Sequence, residues 1–324
     1  MFSSKGAAAP RRATMARPDA WKSDILVSAL LALFAAYLEF QPPFERHLVP
    51  ETLPRVSYPH RGEQTFPTWT LPFLGVIIPV SIILAASLAR TDSVARSRAE
   101  TKRAIVGLLL AVTLGFAVTN SLKNAVGAFR PDFRARCWPD GTETAWEAPG
   151  IPKCAANHDA RLVSEGRKSF PSGHASMAFS GLSFASATVA ERLAVFGAKR
   201  KKNAKKNQPA PAWRVVAAAA PVALALAVSV SRVTDYMHHV EDVVGGGMIG
   251  LAAAWAAWAA KRPFRRRGDG TVLSPREARN ARMVAKEIKK EIARGRSEAR
   301  AARRRRGEPG GAFVDHAPQQ GTRN

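Results

Sequence analysis

The sequence predicts an all-α, polytopic membrane protein: six transmembrane helices in a bundle, followed by a basic cytoplasmic tail. Three observations carry this. The 324 residues pool their apolar side chains into six runs, at 25–40, 69–88, 104–122, 175–196, 215–230 and 243–260. Most of these runs, with their flanks, reach or approach the roughly 17–25 residues a helix needs to cross a hydrocarbon core. They also lack the polar stripe that a helix of a soluble bundle turns to water. Basic residues, finally, crowd alternate connections, as they do on the cytoplasmic side of membrane proteins.

Taken in order, residues 1–22 form a basic flank carrying Lys5, Arg11, Arg12, Arg17 and Lys22. Their Ala/Arg/Ser-rich composition also fits a transit peptide, but a cytoplasmic flank explains it as well and is the reading adopted. Residues 41–67, rich in proline, read as an extended outer loop. The next connection carries Arg90, Arg96, Arg98, Lys102 and Arg103. Residues 127–170 form the longest connection, and loops of that length are functional or disordered. The fourth run is diluted by Ser176, Ser180, Ser183, Ser186, Glu191 and Arg192. It reads as a bundle-interior helix, because small residues let membrane helices approach closely. The following connection, 199–206, holds six Lys and Arg. The tail, 261–324, holds 19 Lys/Arg against 7 Asp/Glu, half of the chain's net charge of +24.

With six spans, both termini and the two basic connections fall on one side, the cytoplasmic one. The expected organisation is a flank (1–22), a membrane domain (23–260) and a tail (261–324). In the tail, Ser274-Pro275 suits a helix start, with Val284, Ile288 and Ile292 then sharing a face. Adhesion to anionic lipid is one use for so basic a segment. Nucleic acid is not an expected partner, since Arg303 to Arg306 has no interleaved aromatic residues. Cys137 and Cys154, the only cysteines, both lie in the non-cytoplasmic 127–170 connection. An oxidising lumen would let them pair.

Three polar clusters sit at ends of apolar segments. The first is Lys123 with Arg130-Pro131. Lys supplies a point charge and Arg a fork that matches phosphate oxygens, although either cation alone is equally a residue snorkelling to a membrane interface. Proline and the pattern around it predict that the helix carrying Lys123 stops near Arg130. The second is Pro171-Ser172-Gly173-His174. With Pro171 in the first helical turn, Ser172 and Gly173 would present free N–H groups to an anion, and His174 would donate a proton to a leaving oxygen. The third is Ser231-Arg232, His238 and Asp242. His238 and Asp242 are spaced i, i+4 on the sixth helix, so the carboxylate would bond one imidazole nitrogen and leave the other nucleophilic. His239 is a rival, less well placed. Arg232 needs a chain break to reach the same face, and Asp235-Tyr236 is the expected bend. All three clusters fall on the same side of the topology drawn from loop charge. Phosphoryl transfer needs charge stabilisation above all, and a site at the membrane edge points to a lipid-borne phosphate.

The pattern resembles the three-part signature of the type 2 phosphatidic acid phosphatase superfamily. The segments Phe129-Arg130-Pro131-Asp132-Phe133, Cys137-Trp138-Pro139-Asp140-Gly141 and Glu165-Gly166-Arg167-Lys168-Ser169-Phe170 look like fungal and plant lipid phosphate phosphatases. The resemblance covers residues 23–260. It implies that His238 attacks phosphorus to form a phosphohistidine, that His174 protonates the leaving alkoxide and that Asp242 orients His238. Lys123, Arg130, Ser172, Gly173 and Arg232 would hold the phosphoryl oxygens. It implies no metal and no cofactor. Expected substrates are phosphatidic acid, diacylglycerol pyrophosphate and lysophosphatidic acid. Polyprenyl-diphosphate, sphingoid-phosphate and sugar-phosphate phosphatases share the signature and stay open as alternatives. A non-catalytic scaffold that binds anionic lipid is the rival of another class. The expected location is the endoplasmic reticulum, vacuole or plasma membrane rather than a plastid, with the site on the luminal or external face.

Overall fold

The computed structural model describes residues 20–88, 94–141, 145–155, 159–195 and 210–261, with isolated helical positions between 283 and 297. The chain divides into two compact units, Met1–Pro275 and Arg276–Asn324. Among the described positions of the second, Val284 is exposed; Ile288 and Ile292 lie outside the described residues, as do Ser274 and Pro275.

The first unit is a helical bundle. Its main helices are α1 (Ala20–Glu39), α2 (Ile78–Leu88), α3 (Val94–Val126), α6 (Gly173–Arg192), α7 (Ala212–Thr234) and α8 (Val240–Lys261). Between α3 and α6 lie two short helices, α4 (Phe133–Cys137) and α5 (Ala160–Gly166). They flank an antiparallel hairpin of β1 (Ala145–Ala148) and β2 (Ile151–Lys153), in which Ala145 faces Lys153 and Trp146 faces Pro152. The expected outer loop 41–67 contains a 3-10 turn, Pro50–Val56. A π-helical turn, Phe73–Ile77, precedes α2. Pro79 explains it, because proline has no N–H for the carbonyl four residues back. That carbonyl belongs to Gly75, and a Cβ on Gly181 of α6 would collide with it.

Five described stretches are long and apolar enough to cross a membrane: Trp21–Glu39, Thr68–Leu88, Arg98–Val126, Ala212–Thr234 and Val240–Lys261. The fourth apolar run of the sequence becomes α6, which does not reach that hydropathy. It packs against α2, α3, α7 and α8, and 14 of its 20 side chains are buried, so it needs no lipid-compatible outer face. The surrounding helices instead turn Leu30, Leu33, Phe34, Val216, Val230, Met248 and Trp255 outward. Small residues set the spacing: a Cβ on Gly246 of α8 would press on the Ser172 carbonyl, and one on Gly250 on the Ser176 carbonyl. Such contacts replace the hydrophobic effect as the source of helix association in lipid.

The chain direction sorts the two ends of the bundle. At one end Lys261 pairs with Asp24 at 2.5 Å, and Arg192 with Glu100 at 3.6 Å. Here α3 begins, among Arg96, Arg98, Lys102 and Arg103. At the opposite end α3 and α7 finish while α6 and α8 start, and there the three polar clusters meet.

Candidate active site

In the first cluster, α3 ends at Val126, earlier than Pro131 predicts. The cause is Gly127, whose φ of +58° turns the chain and whose N–H donates to the Lys123 carbonyl at 3.1 Å. A Cβ at Gly127 would also strike the Phe44 carbonyl. Lys123 remains helical and nearly buried. Its Nζ would lie 3.4 Å from a Cβ built on Gly173, so the absence of a side chain there leaves room at the ammonium. Arg130 sits in the loop beyond. Its N–H donates to the Gly166 carbonyl at 2.8 Å, its Nε to the Glu165 carbonyl at 2.8 Å, and its Nη2 pairs with Glu165 Oε2 at 3.1 Å.

The second cluster opens α6 differently from the sequence expectation. Pro171 precedes the N-cap rather than filling the first turn, and Ser172 is the cap, accepting from the Ala175 N–H at 3.5 Å. The Ser172 N–H is not free, because it donates to the Asp242 carbonyl at 2.9 Å. Gly173 and His174 therefore supply the first-turn amides that an α-helix leaves without an internal acceptor. Nε2 of His174 is buried with no hydrogen-bond partner.

In the third cluster the chain turns at Asp235 and Tyr236, the latter with φ +58°, where the sequence places the bend. Arg232 is wholly buried. Its Nη2 pairs with Asp235 at 2.7 Å and its Nη1 donates to Gln64 Oε1 at 3.0 Å. Helix α8 starts at Val240, so His238 lies in the turn before it, not on the helix. Its N–H donates to the Arg232 carbonyl at 3.2 Å, which ties the two residues together through the backbone.

Lys123, Arg130, Gly173, His174, Arg232 and His238 line one cavity of ≈ 530 Å³. Ser172 and Asp242 stand behind its wall. Burial pushes His238 down to about 4, against the pull of the Asp242 carboxylate and with the push of Arg130. It is therefore unprotonated at neutral pH, as a nucleophile must be. Burial alone would raise Glu165, but Arg130, Lys123 and Lys168 outweigh it and hold the carboxyl below its ordinary range. His239 faces away: its Nε2 meets the Arg55 carbonyl at 3.0 Å. Burial opposes its protonation, yet Asp242 and that carbonyl raise it above the ordinary histidine value.

Asp242 meets His238 as a long ion-pair contact rather than a close hydrogen bond. Its Oδ2 is 3.7 Å from His238 Nδ1, beyond hydrogen-bond range. The same oxygen accepts from Ser169 Oγ at 2.6 Å and from the His239 N–H at 2.8 Å.

Sequence reasoning missed several of these neighbours. Glu165 and Ser169 lie inside a segment with a recognisable pattern, but nothing in that pattern assigns them partners. The loop 41–67 carries no periodic signal, yet it is strapped to the surroundings of the first and third clusters. Phe44 N–H donates to the Asn124 carbonyl at 2.7 Å, Thr65 N–H donates to Asp235 at 2.9 Å, and Tyr58 stacks on Tyr236 at 4.9 Å. Arg55 pairs with Glu241. His60 meets the buried Asp132 at 2.6 Å, and Asp132 accepts two bonds from Arg136 at 2.8 Å. Arg136 lies on α4, whose last residue, Cys137, is joined to Cys154 by a disulfide.

A helical bundle with a buried, cation-lined cavity and two histidines at one end defines a membrane protein built to handle a phosphorylated ligand. A family model described as the PAP2 superfamily matches residues 104–266, and the chain belongs to that superfamily. It is 35% identical over 231 residues to lipid phosphate phosphatase 2 of Arabidopsis thaliana, covering 71% of this chain and 73% of the relative. It is 30% identical over 234 residues to probable diacylglycerol pyrophosphate phosphatase 1 of Schizosaccharomyces pombe, covering 71% and 78%. It is 27% identical over 246 residues to diacylglycerol pyrophosphate phosphatase 1 of Saccharomyces cerevisiae, covering 72% and 77%. No solved structure matches the chain.

Proposed function

We propose that this protein is an integral-membrane lipid phosphate phosphatase that works without a metal. It would remove phosphate from phosphatidic acid, diacylglycerol pyrophosphate or lysophosphatidic acid. The observation that carries this is the convergence of Lys123, Arg130, Arg232, His174 and His238 on one cavity.

The chemistry follows from positions. His238 Nδ1 faces Ser169, so Nε2 is the atom left for attack. The phosphoryl oxygens sit among Lys123, Arg130, Arg232 and the first amides of α6. Bond formation from Nε2 to phosphorus breaks the bond from phosphorus to the lipid oxygen, and His174 gives that oxygen a proton. With phosphatidic acid the product is diacylglycerol. Water then attacks the phosphohistidine, passes a proton to His174 and frees inorganic phosphate. Charge stabilisation, the largest single catalytic contribution, is left to three fixed cations. Among the described residues no group of three or more His, Cys, Asp or Glu side chains converges as a metal would need. Purified protein in excess EDTA is expected to release phosphate from phosphatidic acid and diacylglycerol pyrophosphate at its full rate. No release from any lipid phosphate would overturn the activity, and loss in EDTA restored by Mg²⁺ would overturn metal independence.

We further propose six spans, α6 being the fourth, a membrane domain of residues 23–260, and a cytoplasmic flank (1–22) and tail (261–324). The cavity end would face the lumen or exterior, in the endoplasmic reticulum, vacuole or plasma membrane. The support is the sorting of helix ends: the basic start of α3 lies opposite the cavity. In sealed vesicles, cysteines introduced at 199–206 and at 127–170 are expected to react with an impermeant maleimide from opposite sides. Labelling of both from one side would rule this topology out.

A further inference from the structure

Asp242 is the residue that should orient the nucleophile, yet it stands 3.7 Å from His238 Nδ1. Ser169, a residue outside all three polar clusters, approaches both. Its Oγ is 2.6 Å from Asp242 Oδ2 and 3.5 Å from His238 Nδ1. The side chain is completely buried, and its backbone is pinned by an N–H bond to the Ala128 carbonyl at 2.9 Å. Three residues on, Ser172 binds the Asp242 carbonyl at 2.9 Å, so the segment 169–172 grips Asp242 through side chain and backbone alike.

We propose that Ser169 is a positioning residue, whose hydroxyl bridges Asp242 to Nδ1 of His238. This rests on His238 being the nucleophile. A serine hydroxyl has one proton and two acceptor lone pairs. The carboxylate cannot donate, so at 2.6 Å the Ser169 proton goes to Asp242. The lone pairs are then left to accept from Nδ1–H of His238. That choice fixes the tautomer: the proton sits on Nδ1 and the free electron pair on Nε2, toward the cavity. When Nε2 bonds phosphorus the ring becomes cationic. The bridge conveys the stabilisation of the Asp242 charge without any proton leaving Nδ1. A purely structural serine would need only its bond to Asp242. The second contact, 3.5 Å from the nucleophile's Nδ1, is what the bridging role adds.

The test compares kcat per active site, KM and the rate of phosphoenzyme formation in the parent, Ser169→Ala, Asp242→Asn and the double variant, in the full-length protein in detergent with phosphatidic acid. Ser169→Ala is expected to lower kcat and phosphoenzyme formation together by about 10-fold, the lower end for loss of an outer hydrogen-bond partner, with KM unchanged. In the Asp242→Asn background the same change should cost almost nothing, since both residues act through one chain. A parental kcat in Ser169→Ala, or losses that multiply in the double variant, would overturn the bridge. If Ser169→Ala does not accumulate, Ser169→Cys, which keeps the bulk but offers only a weak thiol donor, is read by the same criteria. His238→Ala separates the two levels. Turnover surviving in His238→Ala removes the nucleophile. An inactive His238→Ala beside a fully active Ser169→Ala removes the bridge alone.

Discussion

His238→Ala is expected to abolish phosphate release, with a loss of kcat of at least about 10⁴-fold, as for deletion of other covalent nucleophiles. His238 lines the cavity, is held by its N–H on the Arg232 carbonyl and is unprotonated at neutral pH because of its burial. Alanine removes the atom that would bond phosphorus while leaving Arg232 and Arg130 with their carboxylate partners, so binding of a phosphate ester should persist. Rapid quench into alkaline SDS with ³²P-labelled substrate supplies the second reading. The parent should show a protein-bound, acid-labile and base-stable phosphate, and His238→Ala none. His239 cannot replace it, because its ring is committed to the Arg55 carbonyl and Asp242. Near-parental activity in His238→Ala would show that attack comes from elsewhere.

The next largest effect is expected from His174→Ala, and it should depend on the leaving group. A positioned general acid contributes about 10²–10⁴-fold. An alkoxide leaving from a glycerolipid needs that proton, whereas a nitrophenolate does not. His174→Ala should therefore lose about 10²–10⁴-fold with phosphatidic acid and much less with an aryl phosphate, while KM for both stays near the parental value. The buried, unpartnered Nε2 of His174 on the cavity wall motivates the assignment. Equal losses on the two substrates would mean that His174 holds the phosphoryl group rather than protonating the leaving oxygen.

Much of this arrangement was legible in the chain, for reasons that differ between elements. The bend at Asp235-Tyr236 could be read because Arg232 and His238 cannot share a face without it. The interior place of α6 could be read from its serines and alanines, which suit close packing and not lipid. Pro131 places the end of α3 four residues too late, because Gly127 turns the chain first. The donors at the start of α6 were misassigned, because a backbone N–H that caps a distant carbonyl leaves no trace in local sequence. Ser169, Gln64 and His60 were invisible for the same reason: each matters through a partner 69 to 168 residues away. The loop 41–67 reads in the sequence only as an extended outer loop, because strapping by hydrogen bonds, an ion pair and an aromatic stack has no periodicity to detect.

The carboxylates beside the guanidiniums have a consequence for what happens after the chemistry. Arg130 already holds Glu165 at 3.1 Å, and Arg232 holds Asp235 at 2.7 Å. On the proposed function, an incoming phosphate would meet cations that are partly engaged and would have to share them. That lowers the affinity for any phosphate, but it matters most for the smallest one. A lipid substrate has its tail to hold it near the cavity, whereas inorganic phosphate has only its charge. On the proposed function, the two carboxylates would compete with inorganic phosphate for the guanidiniums and favour its release.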